Sequence, residues 1–272
     1  MSLVKETYQS WKKWKNMNDI LDILAKDAKK TVESGYYKTN PIEKHENSFK
    51  KNITESEKAP IITEIKISSP SKNISKKINI LNAANAMSRG GAIGISILTE
   101  PKHFKGSLNH FKIVREKTSI PLLMKDFIVS KTQIETASSL GANAILFIQA
   151  LFDRNYCDTN REVMIEYAHS KNIEVLLETH TENEFQRALE SDADLIGINN
   201  RDLRTLKVDL KTTTKILGKY PDLSETIVSE SGIETPADII SLRHSGANAF
   251  LVGTAVISAS DIENKVRKLV EA

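Results

Sequence analysis

Residues 89–97, 140–148, 191–199 and 245–253 share one pattern: a glycine or small polar residue, then an apolar run, as in Leu140-Gly-Ala-Asn-Ala-Ile-Leu-Phe-Ile. A glycine or small polar residue that tolerates positive φ closes a helix, and an apolar run without alternation enters a strand buried on both faces. The pattern therefore reads as a repeated helix-to-strand joint. Four more β-branched or apolar runs, 61–67, 120–124, 173–177 and 226–229, bring the candidate strands to eight. Between them, segments such as 130–140, 161–171 and 182–190 space their apolar residues at helical intervals and are long enough for crossover helices. Alternating strand and helix predicts a parallel sheet, and eight units favour closure into a (β/α)8 TIM barrel over an open doubly wound sheet.

Residues 1–59 fall outside this repeat. They predict an N-terminal helical extension, amphipathic, with Trp11, Trp14, Ile20, Leu21 and Leu24 as contacts, packed as a cap under or beside the barrel. The lysine- and asparagine-rich stretch 41–58 reads as a solvated connector, because its charges are costly to bury. The expectation is one domain over 1–272 with 1–59 as its extension, since such barrels run to about 250 residues.

Charge then narrows the class of partner. The 38 basic and 35 acidic residues leave a formal charge of +3, dispersed along the chain, which predicts a small-molecule ligand and neither a nucleic-acid nor a membrane partner. A single cysteine, Cys157, excludes an internal disulfide framework, and no apolar run approaches the roughly 20 residues that cross a bilayer. With no signal-peptide pattern at the amino terminus, the expected location is cytoplasmic. His45, His103, His110, His169, His180 and His244 show no metal-ligand spacing and read as surface or core residues, and Cys157 has no evident base partner. The glycine turns lack the nucleotide fingerprints, so neither a metal nor a nucleotide cofactor is expected.

In such a barrel the chemistry sits at the carboxyl ends of the strands. Here nearly every strand ends in a group that ionises or donates a hydrogen bond. Glu64 and Lys66 are two apart, so a strand points both side chains the same way, a carboxylate beside an ammonium. Lys125 follows Pro121-Leu-Leu-Met, and Glu178 follows the run 173–177; each is costly at the end of a buried strand unless paired or needed. An inward salt bridge or a snorkelling lysine is the structural alternative for each alone. Together they are the usual pieces of acid–base catalysis. The last two strands end in Glu230-Ser-Gly and Val252-Gly-Thr, where barrels often bind phosphate through loop amides.

Five motifs in order, Glu64-Ile-Lys-Ile-Ser-Ser-Pro-Ser, Ser96-Ile-Leu-Thr-Glu, Leu123-Met-Lys-Asp-Phe, Ile196-Gly-Ile-Asn-Asn-Arg-Asp and Val228-Ser-Glu-Ser-Gly-Ile, resemble the indole-3-glycerol phosphate synthase family from about residue 60 to the end. The resemblance implies a decarboxylating ring closure of 1-(2-carboxyphenylamino)-1-deoxyribulose 5-phosphate to indole-3-glycerol phosphate, carbon dioxide and water, without metal or organic cofactor. It implies Lys125 as the general acid that protonates the substrate carbonyl, and Glu178 as the carboxylate handling protons in the final dehydration. Lys66 would engage the substrate carboxylate or a leaving oxygen. Glu64, Asn199 and Glu230 would orient these groups and the sugar hydroxyls. Ser69, Arg201, Ser231, Gly232, Gly253 and Thr254 would form the mouth and phosphate site, and Pro70 and Phe104 would contact the anthranilate ring.

Thr254 stands where relatives often carry serine or glutamate, and Gln149 adds a polar group to the fourth strand end. The basic stretch 72–77 reads as a solvated loop. Two alternatives stay open. One is a phosphoribosylanthranilate isomerase, whose acid–base pair would be a cysteine and an aspartate, although no cysteine ends the first strand. The other is a phosphate-binding barrel without turnover. A monomer or weak homo-oligomer is expected.

Overall fold

The structure, a computed structural model, describes residues 19–42, 45–67, 78–203 and 205–272. Trp11, Trp14, Ser69, Pro70 and the basic stretch 72–77 lie outside the described residues. Eight parallel strands close into a barrel in sequence order: β1 (Ile61–Ile65), β2 (Gly94–Leu98), β3 (Leu122–Lys125), β4 (Ala144–Ile148), β5 (Glu174–Thr179), β6 (Leu195–Asn199), β7 (Ile227–Glu230) and β8 (Ala249–Val252). Closure is made by β8 against β1, with Ile61 opposite Phe250 and Thr63 opposite Val252. All eight strands fall on the runs expected of them.

The helices are α1 (Ile20–Glu33), α2 (Phe49–Thr54), α3 (Ile80–Arg89), α4 (Leu108–Arg115), α5 (Lys131–Ser139), α6 (Gln149–Asp153), α7 (Arg161–Ser170), α8 (Glu182–Leu189), α9 (Lys211–Leu217), α10 (Pro236–His244), α11 (Thr254–Ile257) and α12 (Ile262–Val270). Their starts are set locally. Ser130 and Gln133 form a reciprocal capping box on α5, and Thr235 and Asp238 form another on α10, where Pro236 takes the first turn. Three of the four joints turn on a glycine at positive φ, Gly91, Gly141 and Gly246. The fourth, at Ser191, needs none, because the Ser191 hydroxyl donates to the carbonyl of Ala188 at 2.6 Å and satisfies the helix end directly.

Helices α1 and α2 occupy opposite ends of the barrel, which corrects two expectations. Stretch 41–58 is not merely a solvated connector: it contains α2, whose Phe49 and Ile53, one turn apart, are buried in the cluster that fills the lumen with Ile62, Leu123 and Val228. The lysines of α2 point outward while its apolar side plugs the floor. Gly94, the first residue of β2, admits this plug, for a Cβ there would collide with the Phe49 ring. The floor helix is pinned by Glu174 at the start of β5, which accepts from the Phe49 amide at 2.6 Å and from the Ser48 hydroxyl. Helix α1 lies instead across the mouth, where Ile20 and Leu24 line the cavity. Asp27 holds it there by pairing with Lys102 at 2.7 Å and His103 at 2.9 Å on the loop after β2.

Candidate active site

The inward positions at the carboxyl ends of β1, β3, β5 and β7 carry Glu64, Lys125, Glu178 and Glu230, and the barrel brings them to one point. The Lys125 ammonium lies 2.9 Å from Glu230 Oε2 and 3.6 Å from both Glu64 Oε2 and Glu178 Oε2. Lys66 pairs with Glu64 Oε1 at 2.8 Å, as the two-residue spacing predicted. Asn199, at the end of β6, hydrogen-bonds Glu178 through its side chain and accepts from the Arg201 amide at 2.9 Å. Arg201 is held by donating to the carbonyl of Leu206 at 3.0 Å and lines the same space.

Burial and pairing set the protonation states. Burial alone would drive Lys125 neutral, but Glu230, Glu64 and Glu178 outweigh it and raise its pKa, so it stays an ammonium. Burial would likewise raise Glu178 and Glu64, yet Lys125 with His180, and Lys66 with Lys125, hold the two carboxyls below the usual range. For Glu230 burial wins: its carboxyl is pushed up to about 7, with Glu178 adding to the rise against the pull of Lys125. Its Oε1 is buried without a hydrogen-bond partner. One cation thus faces two ionised carboxylates and a third that holds a proton more tightly, a set able to give and take protons near neutrality.

Two glycines make room for this cluster. A Cβ on Gly197, inward on β6, would collide with Glu230 Oε1, and one on Gly253 would collide with Glu64 Oε1 and crowd Lys66. Gly253 was expected to serve phosphate. It does line the lobe of the cavity beside Ser231, Gly232, Thr254 and Ala255, but its missing side chain is first a requirement of the Glu64–Lys66 pair. Ser231 and Gly232 both have positive φ, and a side chain on Gly232 would strike Val208. The other lobe is apolar: Leu98, Leu146 and Ile148 at its base, Phe104 and Phe127 with ring centroids 5.9 Å apart, and Ile20, Leu24, Leu203 and Leu206 at the rim. Phe104 is positioned because Glu100 accepts from the amides of Lys102, His103 and Phe104 at 2.7–2.9 Å.

The structure therefore brings together Glu64, Lys66, Lys125, Glu178, Asn199, Glu230, Arg201, Phe104, Ser231, Gly232, Gly253 and Thr254; Ser69 and Pro70 lie outside the described residues. Gln149 does not enter the cavity. It opens α6, donating to Asp153 and accepting from Arg161, both at 2.8 Å. Three buried groups escaped the sequence reading. His180 sits against Glu178; Asp126, beside Lys125, accepts from the Tyr37 and Thr99 hydroxyls at 2.9 and 2.6 Å; and Glu100 shapes the Phe104 loop. Asp126 and Glu100 stand inside quoted motifs, which was the only signal available for them. His180 had none beyond its place two residues after Glu178.

Comparison with known proteins agrees with this geometry. Solved structures of a thiamine phosphate pyrophosphorylase from Pyrococcus furiosus (16% identity, TM-score 0.56, 78% of this chain and 93% of that one) and an N-acetylmannosamine-6-phosphate 2-epimerase from Clostridium perfringens (14%, 0.58, 79% and 93%) share the fold. Indole-3-glycerol phosphate synthases from Methanocaldococcus jannaschii and Campylobacter fetus are 44% and 41% identical, covering 78% and 77% of this chain and 78% and 80% of their own. The family model for indole-3-glycerol phosphate synthase matches residues 17–269, and the chain belongs to that family.

Proposed function

We propose that the mouth of this barrel performs the family's reaction, closing 1-(2-carboxyphenylamino)-1-deoxyribulose 5-phosphate to indole-3-glycerol phosphate with loss of carbon dioxide and water. The observation that carries the reading is the Lys125 ammonium held among three carboxylates with the Lys66–Glu64 pair beside it. The two lobes suit the two halves of the substrate: apolar walls with Phe104 for the anthranilate ring, and the Ser231–Gly232 and Gly253–Thr254 turns with Arg201 for the sugar phosphate.

Lys125, kept charged, protonates the carbonyl oxygen as the ring carbon bearing the carboxylate attacks the carbonyl carbon. Carbon dioxide then leaves, and its bonding electrons restore the ring. In the dehydration that follows, the new hydroxyl takes a proton from Lys66 and leaves as water, while Glu178 takes up the proton lost from the adjacent ring carbon. Glu64, Asn199 and Glu230 hold these groups in place. No step draws on a metal or an organic cofactor. The protein works on a free small molecule, as a monomer or weak homo-oligomer, without nucleic-acid or membrane partner; among the described residues no helix is long and apolar enough to cross a membrane.

The isomerase alternative gains nothing from the structure. Burial pushes the Cys157 thiol up to about 12, and it lies among the residues following α6, outside the cavity. Mixing the purified protein with the substrate should give indole fluorescence catalytically; a folded protein that binds the substrate and yields none refutes the proposal.

A further inference from the structure

His180 follows β5 directly and is buried between two carboxylates. Its Nε2 lies 3.1 Å from Glu178 Oε1 and its Nδ1 3.3 Å from Glu184 Oε2 on α8. Glu184 is itself fixed, because the same Oε2 accepts the His180 amide at 2.8 Å and Thr181 caps the helix that carries it. Lys125 reaches the other oxygen of Glu178, Oε2, and Glu230 lies beyond it across the lumen. An imidazole whose two nitrogens each face a carboxylate oxygen is driven to carry both protons. Burial opposes this, but Glu178 and Glu184 together raise it to about 9.

We propose that His180, anchored by Glu184, is a positioning residue for Glu178: its ring cation holds Oε1 by a close charge contact and leaves Oε2 turned to Lys125 and the reacting atoms. The inference rests on the proton-handling role given to Glu178 above. It assigns to the turn between β5 and α8 a task that its sequence, Thr179-His-Thr-Glu-Asn-Glu, does not announce. With His180 removed, Glu178 keeps only Lys125 as a cation. Its carboxyl then rotates more freely and takes up a proton at higher pH.

The test compares His180→Gln, Glu184→Gln and Glu178→Gln with the wild type by kcat, KM and the pH profile of kcat, together with nitrogen NMR of the His180 ring at about pH 8. The expected result for H180Q is a kcat lower on the order of ten-fold, part of the roughly 10²–10⁴ that a positioned acid or base contributes. Its KM should stay near that of the wild type, and its acidic limb should move to higher pH. E184Q, which leaves the histidine in place, should shift the limb in the same direction by less, and the wild-type ring should carry both protons. Wild-type kcat and an unmoved limb in H180Q and E184Q, with E178Q inactive, would overturn this inference alone. Full activity in E178Q would overturn the reading of Glu178 and this one with it.

Discussion

At the floor of the barrel Arg115 donates to Asn143 Oδ1 and to the carbonyls of Thr118 and Ile120, while Asn143 donates to the carbonyls of His45 and Asn47. At the mouth Lys125 has only other ionisable side chains as partners, and one oxygen of Glu230 has none. Apart from Arg115 Nε, which has no partner, Arg115 and Asn143 spend their donors on backbone and amide partners that never change charge, and so fix the entry of the chain into β3 and β4. The mouth sets titratable groups against each other, which costs stability and leaves them sensitive to whatever enters. The same repeat thus provides rigidity at one end and chemistry at the other.

Substitutions at the two ends should separate these roles. Lys66→Ala should leave a folded protein by circular dichroism and lower kcat/KM by roughly 10²–10⁴, the worth of a positioned acid–base group. Phe49→Ala should do the reverse, costing about 3–5 kcal/mol in denaturant unfolding through the cavity left in the floor, with kcat close to that of the wild type where the protein is folded. Gly197→Ala sits between them. Its methyl displaces Glu230, so it should lose about 1–3 kcal/mol of stability and also lower kcat, a combination that neither end alone produces.

The smallest effect concerns pH. The folded Glu230 carboxyl is raised to about 7, above its unfolded value of about 4.3, so its contribution to stability is complete below the unfolded pKa and is lost as pH rises through about 7. Glu178 is shifted the other way and titrates at more acidic pH, outside that window. Calorimetry should show Tm falling from acid toward neutral pH as the Glu230 carboxyl ionises. Asp126, whose buried carboxyl is also pushed up to about 7, titrates in the same window, so Glu230→Gln should reduce that slope without abolishing it; an unchanged slope would remove Glu230 as a cause.

Legibility followed the same divide. The strands were readable because continuous apolar runs flanked by small residues have few other structures to form, and the Glu64–Lys66 pair because strand geometry alone puts residues two apart on one face. The α2 plug was hidden since Phe49 and Ile53 are surrounded by lysine and asparagine, and composition outweighed the four-residue spacing. That Gly197 and Gly253 clear space for carboxylates depends on which strands lie side by side in the closed barrel, β6 beside β7 and β8 beside β1, a relation between residues distant in sequence. His180 was lost for a different reason: both its carboxylates lie within four residues of it, but only the fold of the turn into α8 brings them onto the two ring nitrogens.

The central claim is that the charges at the mouth are an acid–base machine assembled around Lys125. The direct test is Lys125→Ala, with indole formation and calorimetric binding of the carboxyphenylamino sugar phosphate measured on the same preparation. The account predicts binding within a few-fold of the wild type and formation of indole reduced by roughly 10²–10⁴. Indole formed at the wild-type rate by the folded variant would contradict it.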